Sequence, residues 1–359
     1  DASDRFELNP PKTFPGKLTK FLYHRFETFH GDKSKGLVML PVELIDDNGI
    51  MLRKCVMEQI ENWGLSDEFK KWVEEACIFT STLVDRIVTG YPRATEKEEW
   101  EKLGYEDHIM VTGEPFALWV IESEKDISGE FDLSGAGLPV IFTKDHHPYK
   151  QRKVRILNGA HTSFVLASWL CGNDIVRQSM EDADIRNFMN RTIFDEVIPT
   201  LTLPEEELKQ FAAEVVNRFN NPYVDHSLLA ISLNSVSKWR ARCLPSLLGY
   251  VEKFGKLPTH LTFSIAALMA FYHGTEIKDG VLKGDRDGQP YDIKDDMAVL
   301  EFFRDHCNDA AESFVKAYLG REDFHGQDLN QVPGLTEAVT AYLDDIKANG
   351  MRAALCRIS

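Results

Sequence analysis

Lysine, amide and imidazole side chains lie close together in the segment Pro148–His161, whose sequence is PYKQRKVRILNGAH. Apolar spacing predicts a helix over Lys153–Leu170, with polar and cationic groups crowded at its start. On an ideal helix, with about 100° per residue, Asn158 and His161 lie about 60° apart and share one face. Groups of these types can transfer protons and hydrogen-bond a polar ligand.

Two lysines are candidates to join this face. Lys153 lies about 80° from the direction of His161, a gap that its long side chain can cover. Lys150 lies closer, at about 20°, so helix geometry does not choose between the two lysines. A purely structural alternative is a cationic N-terminal turn in which Asn158 and His161 have ordinary hydrogen-bond partners.

A phosphate-binding loop or a serine nucleophile would be other sources of chemistry. The only Gly-x-Gly triplet is Gly135–Gly137, and Val140 occupies the third glycine position of a dinucleotide loop. Pro139 interrupts any helix start there, so the triplet is predicted to be a surface turn. The sequence has no GxxxxGK[ST] and no GxSxG motif.

The adjacent pair His146 and His147, with Asp145 beside it, is the strongest candidate for metal binding. Adjacent residues on a helix or strand are not expected to face one metal ion, so a solvated loop is favoured over a ligand set. Neither an HExxH motif nor an EF-hand loop occurs. We therefore predict no metal site.

The composition is that of a globular protein, with 359 residues, 43% hydrophobic and 27% charged. The net charge of −16 disfavours nucleic-acid binding, because such a chain repels phosphate backbones. No apolar run approaches the roughly 18 residues of a membrane span, and no signal-peptide pattern is visible. The 6 cysteines form no CxxC pair and are predicted to be reduced thiols in a cytoplasmic protein.

The first part of the chain reads as an α/β domain over residues 1–147. Short apolar runs predict strands within Lys35–Ile45, Phe116–Ile121 and Leu138–Thr143. Met51–Trp63 has helical spacing after a turn, and Ser66 is a predicted N-cap for the next helix.

The second part, residues 148–359, is predicted to be all-helical. Spacing at i, i+3 and i+4 predicts further helices over Ser179–Ile198, Glu205–Phe219, Leu228–Phe254, Leu261–Tyr272, Met297–Phe314 and Leu335–Ile346. The Gly- and Asp-rich stretch Gly274–Asp296 is expected to be an exposed loop.

Three ordered motifs resemble the polyol-specific long-chain dehydrogenases, the mannitol dehydrogenase family. Lys153-x4-Asn158-x2-His161 resembles the family's catalytic signature, and Ser81–Ile87 (STLVDRI) resembles its substrate-proximal motif. Pro41–Gly49 stands where relatives carry a CDN…NG segment. The resemblance covers nearly all of the chain.

This resemblance implies a Rossmann-type NAD-binding domain, followed by a helical substrate domain, and a reaction that uses NAD but no metal. Lys153 would be the general base, and Asn158 would donate its amide to the alkoxide-like oxygen. His161 would bind a substrate hydroxyl or orient Lys153. Asp85 would lie near the substrate and the nicotinamide.

The match is closest to members that interconvert tagaturonate and altronate, which implies a small sugar-acid substrate. Interconversion of fructuronate and mannonate, with the same lysine chemistry, is the alternative within the family. A non-catalytic helical binding module is the alternative outside it, because the glycine-rich turn that binds the cofactor in relatives is absent here. We expect from this that the chain begins inside the Rossmann domain of a longer polypeptide.

Two departures concern the substrate. Leu44 replaces the second oxyanion-hole asparagine of mannitol dehydrogenases. Lys238 matches a substrate-binding lysine of the family, but Ala230 replaces its arginine companion. The substrate carboxylate must then meet other cations, and the candidates are Lys238, Arg86 and Arg93.

Overall fold

The structure, a computed structural model, describes residues 4–43, 45–93, 95–130, 133, 135–223 and 225–358. The chain forms two compact units, Asp1–Lys150 and Gln151–Ser359. Leu44, one of the two departures noted above, lies outside the described residues. Within them, no helix is both long and apolar enough to cross a lipid bilayer.

The first unit mixes helices with short strands, as its sequence predicts. The helices are α1 (Phe14–Thr28), α2 (Asn48–Asn62), α3 (Asp67–Ala76), α4 (Glu96–Leu103) and α5 (His147–Arg152), which runs to the start of the second unit, and a short 3₁₀ turn covers Lys33–Lys35. The strands are β1 (Val38–Met39), β2 (Ile78–Phe79), β3 (Ser81–Asp85), β4 (Val88–Gly90), β5 (Thr112–Gly113), β6 (Leu118–Glu122) and β7 (Val140–Thr143). β1 pairs with β2 and β6 with β7 in parallel, whereas β3–β6 and β4–β5 are antiparallel pairs.

An apolar cluster packs α1, α2 and α3 together, with Leu22, Val56 and Phe69 all fully buried. The Ser66 hydroxyl accepts the Phe69 N–H at 3.2 Å, which confirms the predicted N-cap of α3.

The side chain of Asn48 holds the start of α2 against β3. Its buried amide donates to the carbonyls of Pro41, Glu43 and Thr82, each at 3.1 Å. Its carbonyl oxygen accepts the Thr82 N–H at 2.9 Å. The next residue, Gly49, must lack a side chain, because a Cβ at this position would overlap the Thr80 carbonyl. The Asn–Gly pair of Pro41–Gly49 is therefore a structural joint.

The second unit is built around two helices that are buried on nearly every side, α6 (Gly159–Leu170) and α13 (Thr259–Phe271). The surrounding helices are α7 (Val176–Glu181), α8 (Ala183–Arg191), α9 (Glu205–Phe219), α10 (Leu228–Ile231), α11 (Ser235–Arg242), α12 (Leu244–Phe254), α14 (Met297–His306), α15 (Ala311–Leu319), α16 (Glu322–His325), α17 (Leu335–Asn349) and α18 (Met351–Ile358). Lys153–Asn158 and Thr192–Val197 are π-helical, and Ile198–Thr200 and Leu329–Gln331 are 3₁₀ turns.

The helix predicted over Glu205–Phe219 is confirmed at both ends. The prediction of one continuous helix over Leu228–Phe254 is wrong, because the chain forms three helices there, α10, α11 and α12. Asn234 adopts a left-handed backbone with φ 55°, which ends the first helical turn. Pro245 lacks the N–H that would continue α11 into α12.

The exposed loop expected over Gly274–Asp296 is also wrong. The chain forms an antiparallel sheet of β8 (Ile277–Lys278), β9 (Val281–Arg286) and β10 (Gln289–Ile293), so the second unit is not wholly helical. Asp279-Gly280 and Asp287-Gly288 form its two turns with positive φ, as tight hairpins require. The sheet buries Leu282, Tyr291 and Ile293.

Replacing Asn48 tests the joint between α2 and β3. Asn48→Ala leaves buried carbonyl and N–H groups without partners, so we expect the free energy of unfolding to fall by about 3 kcal/mol. Urea denaturation followed by circular dichroism measures this loss. Asn308→Ala, at an exposed position, is the control and should change stability by less than about 0.5 kcal/mol. Equal effects of the two substitutions would contradict the structural role.

Candidate active site

A π-helical turn carries the first two residues of the predicted catalytic signature. Over Lys153–Asn158 the backbone follows i+5 hydrogen bonding, and the Gly159 N–H reaches the Val154 carbonyl. Such turns are frequent at functional sites. The ideal-helix angles expected between Lys153 and His161 do not apply across this turn, since they assume 3.6 residues per turn. Lys153 and Asn158 are both half-buried.

Neighbouring helices fix the π turn from several sides. Arg152 is buried and pairs with Glu207 of α9 at 2.6 Å, and its guanidinium lies over the Phe211 ring. Arg155 donates to the Ser246 hydroxyl at 2.9 Å, and burial lowers the pKa of Arg155. The position of the catalytic signature is thus set by α9 and α12.

Gly159 allows α6 to approach α11 closely. A Cβ on Gly159 would lie 3.2 Å from the Arg242 carbonyl oxygen, and the Cys243 thiol donates to the Gly159 carbonyl. The glycine of the signature is thus explained by packing.

His161 stands in the first turn of α6 and is 6% exposed. Its ring stacks on Phe219 at 4.1 Å between centroids, and His226 meets it edge-on at 5.6 Å. Among the residues that the structure describes, no group hydrogen-bonds its Nε2 atom. Burial lowers the pKa of His161 well below its ordinary value, so the imidazole is neutral near pH 7.

Four basic residues act electrostatically on this imidazole, and we call them the basic cluster. They also lower the pKa of His161, and they are His226, Arg242, Arg218 and Lys238. Burial, followed by the charge of Arg242, lowers the pKa of Lys238, whose ammonium donates to the Ile231 carbonyl at 2.9 Å.

The basic cluster is linked to the π turn through Thr162. Arg242 donates to the Thr162 hydroxyl at 3.3 Å, and that hydroxyl donates to the Asn158 carbonyl at 2.9 Å. The structure thereby brings Lys238 to the neighbourhood of His161. Sequence reasoning missed the other three members of the cluster. The one available signal was the i, i+4 spacing of Lys238 and Arg242 on one helix face.

The remaining predicted residues lie in the first unit. Asp85 ends β3 and is 3% exposed. Arg86 is exposed, and its Nε donates to the Glu114 carbonyl at 2.9 Å. Arg93 is exposed with its guanidinium over the Tyr91 ring. Lys150, the competing lysine, pairs with Asp46 in the same unit.

The chain matches two family models. The Mannitol dehydrogenase Rossmann domain matches residues 11–135, and the Mannitol dehydrogenase C-terminal domain matches residues 145–347. An altronate oxidoreductase of Yersinia enterocolitica is 44% identical over 100% of this chain and 74% of its own length. One of Escherichia coli is 43% identical over 99% of this chain and 72% of its own length.

Two solved structures share the fold. D-sorbitol dehydrogenase in substrate-free form has a TM-score of 0.78 at 23% identity, over 97% of this chain and 68% of that chain. Pseudomonas fluorescens mannitol 2-dehydrogenase, in a ternary complex with NAD and D-mannitol, has a TM-score of 0.69 at 23% identity, over 97% of this chain and 66% of that chain.

The α/β unit, the helical unit and these matches define an oxidoreductase of the polyol and sugar-acid dehydrogenase class. The predicted fold class, part of a Rossmann-type domain followed by a helical domain, is confirmed at this level. The chain belongs to the mannitol dehydrogenase family.

Burial of His161 predicts a specific pH dependence of stability. In the unfolded chain a histidine has a pKa of about 6.5, whereas folded His161 stays neutral to lower pH. As pH falls below about 6.5, the unfolded state therefore binds a proton that the folded state does not, and stability decreases. His161→Gln should reduce this decrease between pH 7 and 5 by up to about 1.4 kcal/mol per pH unit.

Urea denaturation at several pH values measures that slope. The exposed His108 provides the control variant, His108→Gln, which should keep the slope of the unsubstituted protein. An unchanged slope in His161→Gln would show that the ring is not held neutral by its surroundings.

Proposed function

We propose that the protein is an NAD-dependent oxidoreductase that interconverts tagaturonate and altronate. The main structural support for a sugar-acid substrate is the basic cluster beside His161. A sugar acid has a carboxylate that can pair with these cations, whereas a neutral polyol has none. The altronate oxidoreductases, which are 42–44% identical over almost the whole chain, support the same substrate. Fructuronate with mannonate is the second candidate pair.

Lys153 is proposed as the general acid and base. In oxidation its amine takes the proton of the substrate hydroxyl, and in reduction the ammonium returns it. The ordinary pKa of a lysine is about 10.4, so this role requires surroundings that favour the neutral amine. Arg155, which lies two residues away on the π turn, is proposed to contribute positive charge that favours the neutral amine, whereas the charge of Arg152 is paired with Glu207.

Asn158 and His161 are proposed to hold the reacting group. The Asn158 amide donates to the oxygen that becomes negative as the proton leaves, without itself being titrated. A neutral His161 accepts a hydrogen bond from a substrate hydroxyl or orients Lys153. Its lowered pKa and its Nε2 atom, which has no partner among the described residues, support this role. Asp85 remains a predicted substrate residue on the strength of its motif.

NAD is proposed as the hydride carrier from the family and its Rossmann-domain model. Within the described ranges, the only Gly-x-Gly triplet, Gly135–Gly137, is an exposed turn that leads into β7 instead of a helix. These residues do not form a pyrophosphate cradle, so no contact with NAD is assigned to this chain.

The lysine assignment is tested by loss of NADH absorbance with the native protein, with tagaturonate, fructuronate and fructose offered separately. Lys153→Ala should lower kcat for tagaturonate by about 10²- to 10⁴-fold, since it removes the proton-transferring group. Lys150→Ala is the matched control, because Lys150 pairs with Asp46 and should keep most of the activity.

Other outcomes would redirect the proposal. Preference for fructuronate would replace the substrate and keep the lysine chemistry. Loss of activity in Lys150→Ala but not in Lys153→Ala would reverse the choice of base. No turnover of any of the three compounds would favour the helical binding module.

The substrate carboxylate is proposed to bind Lys238 together with Arg242. A lost charge-assisted hydrogen bond is worth about 1.5–3 kcal/mol, so Lys238→Met should raise KM for tagaturonate by about 10- to 100-fold. The change in kcat should be smaller, because the carboxylate does not react. Steady-state kinetics measures this split, and exposed Lys256→Met is the control. The same split for Arg86→Met or Arg93→Met instead would assign the carboxylate to that arginine.

A further inference from the structure

The two adjacent histidines before and at the start of α5 face one carboxylate, contrary to the expectation from sequence. The Nε2 atom of His147 lies 3.3 Å from Asp47 Oδ1, and Nε2 of His146 lies 4.0 Å from the same atom. Their ring centroids are 4.6 Å apart with an interplanar angle of 34°. The solvated loop is therefore wrong for His146, which is 3% exposed. The rings lie side by side because the chain turns into α5 between them.

Two further carboxylates orient these rings through their other nitrogen atoms. Nδ1 of His146 lies 2.6 Å from Glu122 Oε2, which also accepts the His146 backbone N–H at 2.8 Å. Nδ1 of His147 lies 2.8 Å from Asp145 Oδ1, which accepts the His147 backbone N–H at 2.9 Å. Carboxylates accept hydrogen bonds, so they place the proton on Nδ1 and leave the Nε2 lone pair directed elsewhere.

We propose that Asp47, His146 and His147 form a binding site for a divalent transition metal ion, and that Zn²⁺ fits it best. Their ligand atoms lie within 4.8 Å of one another. Two ligands at about 2.0–2.1 Å from a tetrahedral ion stand about 3.4 Å apart, close to the separation of Asp47 and His147. The Nε2 atom of His146 would have to move roughly half an ångström closer to Asp47 Oδ1 to reach the same separation.

The donor set and its supports decide the class of metal. Two imidazole nitrogens and one carboxylate oxygen suit Zn²⁺, whereas Mg²⁺ and Ca²⁺ take oxygen ligands. Glu122 and Asp145 occupy the places of the carboxylates that usually support metal-bound histidines. Asp47 and His147 are partly exposed, so an ion can enter and keep a water ligand.

The ion would join the residue that precedes α2 to the start of α5, both in the first unit. It has no role in the proposed reaction, and its test does not depend on activity. An ordinary network of ion pairs is the competing explanation for these contacts, and it predicts no retained metal.

Isothermal titration calorimetry of the chelator-treated native protein with Zn²⁺ is the direct test. We expect one Zn²⁺ per chain, a raised Tm when Zn²⁺ is present, and no displacement by excess Mg²⁺. His147→Ala should weaken binding at least tenfold and abolish the rise in Tm. His147 is about half exposed, so this variant should keep its fold, which circular dichroism verifies. His108→Ala, at an exposed histidine that lies near the surface residue Glu106 and outside this cluster, should bind like the unsubstituted protein.

A second measurement must distinguish the proposed site from the 6 free cysteines, because thiols also bind Zn²⁺. Co²⁺ in place of Zn²⁺ should give visible d–d absorption without the thiolate-to-metal charge-transfer bands of sulfur ligation. Absence of stoichiometric binding, equal binding by His147→Ala, displacement by Mg²⁺, or a thiolate spectrum would each overturn the proposal.

Discussion

The burial of α6 on nearly every side is the constraint on which the second unit depends. A helix in such surroundings must give each polar side chain a partner, since an unpaired buried group costs about 1–3 kcal/mol. Ser163 donates to a backbone carbonyl, and the Ser168 hydroxyl pairs with that of Ser179 at 2.7 Å. Two α6 groups break this rule among the described residues, Nε2 of His161 and the indole N–H of Trp169. A ligand at the His161 atom, which lies next to the basic cluster, would satisfy it, and this is a structural argument for a site there.

The charges around His161 reinforce this argument. Lys238 and Arg242 both have a lowered pKa because they are partly buried, and each lowers the pKa of the imidazole. Asp295 opposes the effect on the pKa of Lys238, but its half-buried carboxylate also accepts a hydrogen bond from the Tyr272 hydroxyl at 2.5 Å. Repulsion among like charges in a poorly solvated region is relieved when an anion binds. The second unit is thus better suited to an anionic substrate than to a neutral one.

The sequence predicted the parts of the fold that local rules control. The Ser66 N-cap and the helix Glu205–Phe219 follow from capping residues and apolar spacing. The π turn Lys153–Asn158 has no such signature, because period-3.6 spacing on both sides hides it. The stretch Gly274–Asp296 is rich in Gly and Asp and its strands are short, so its composition indicates a loop, although its Asp-Gly pairs are hairpin signals. The basic cluster needed tertiary structure, because its members come from α9, α11 and the chain before α10.

Motif residues that look alike in sequence have different physical roles in the folded chain. Asn48 is buried and satisfies backbone groups of β3, so its contribution is to stability. Gly159 is required because α11 passes close to it. Lys153 and Asn158, by contrast, are half-buried on a π turn that regular helical packing would not favour. A motif that resembles a family signature therefore contains two kinds of residue, those that support the fold and those that could contact a ligand. The first kind is buried and has its hydrogen bonds satisfied or its space filled by packing, and the second kind is partly exposed.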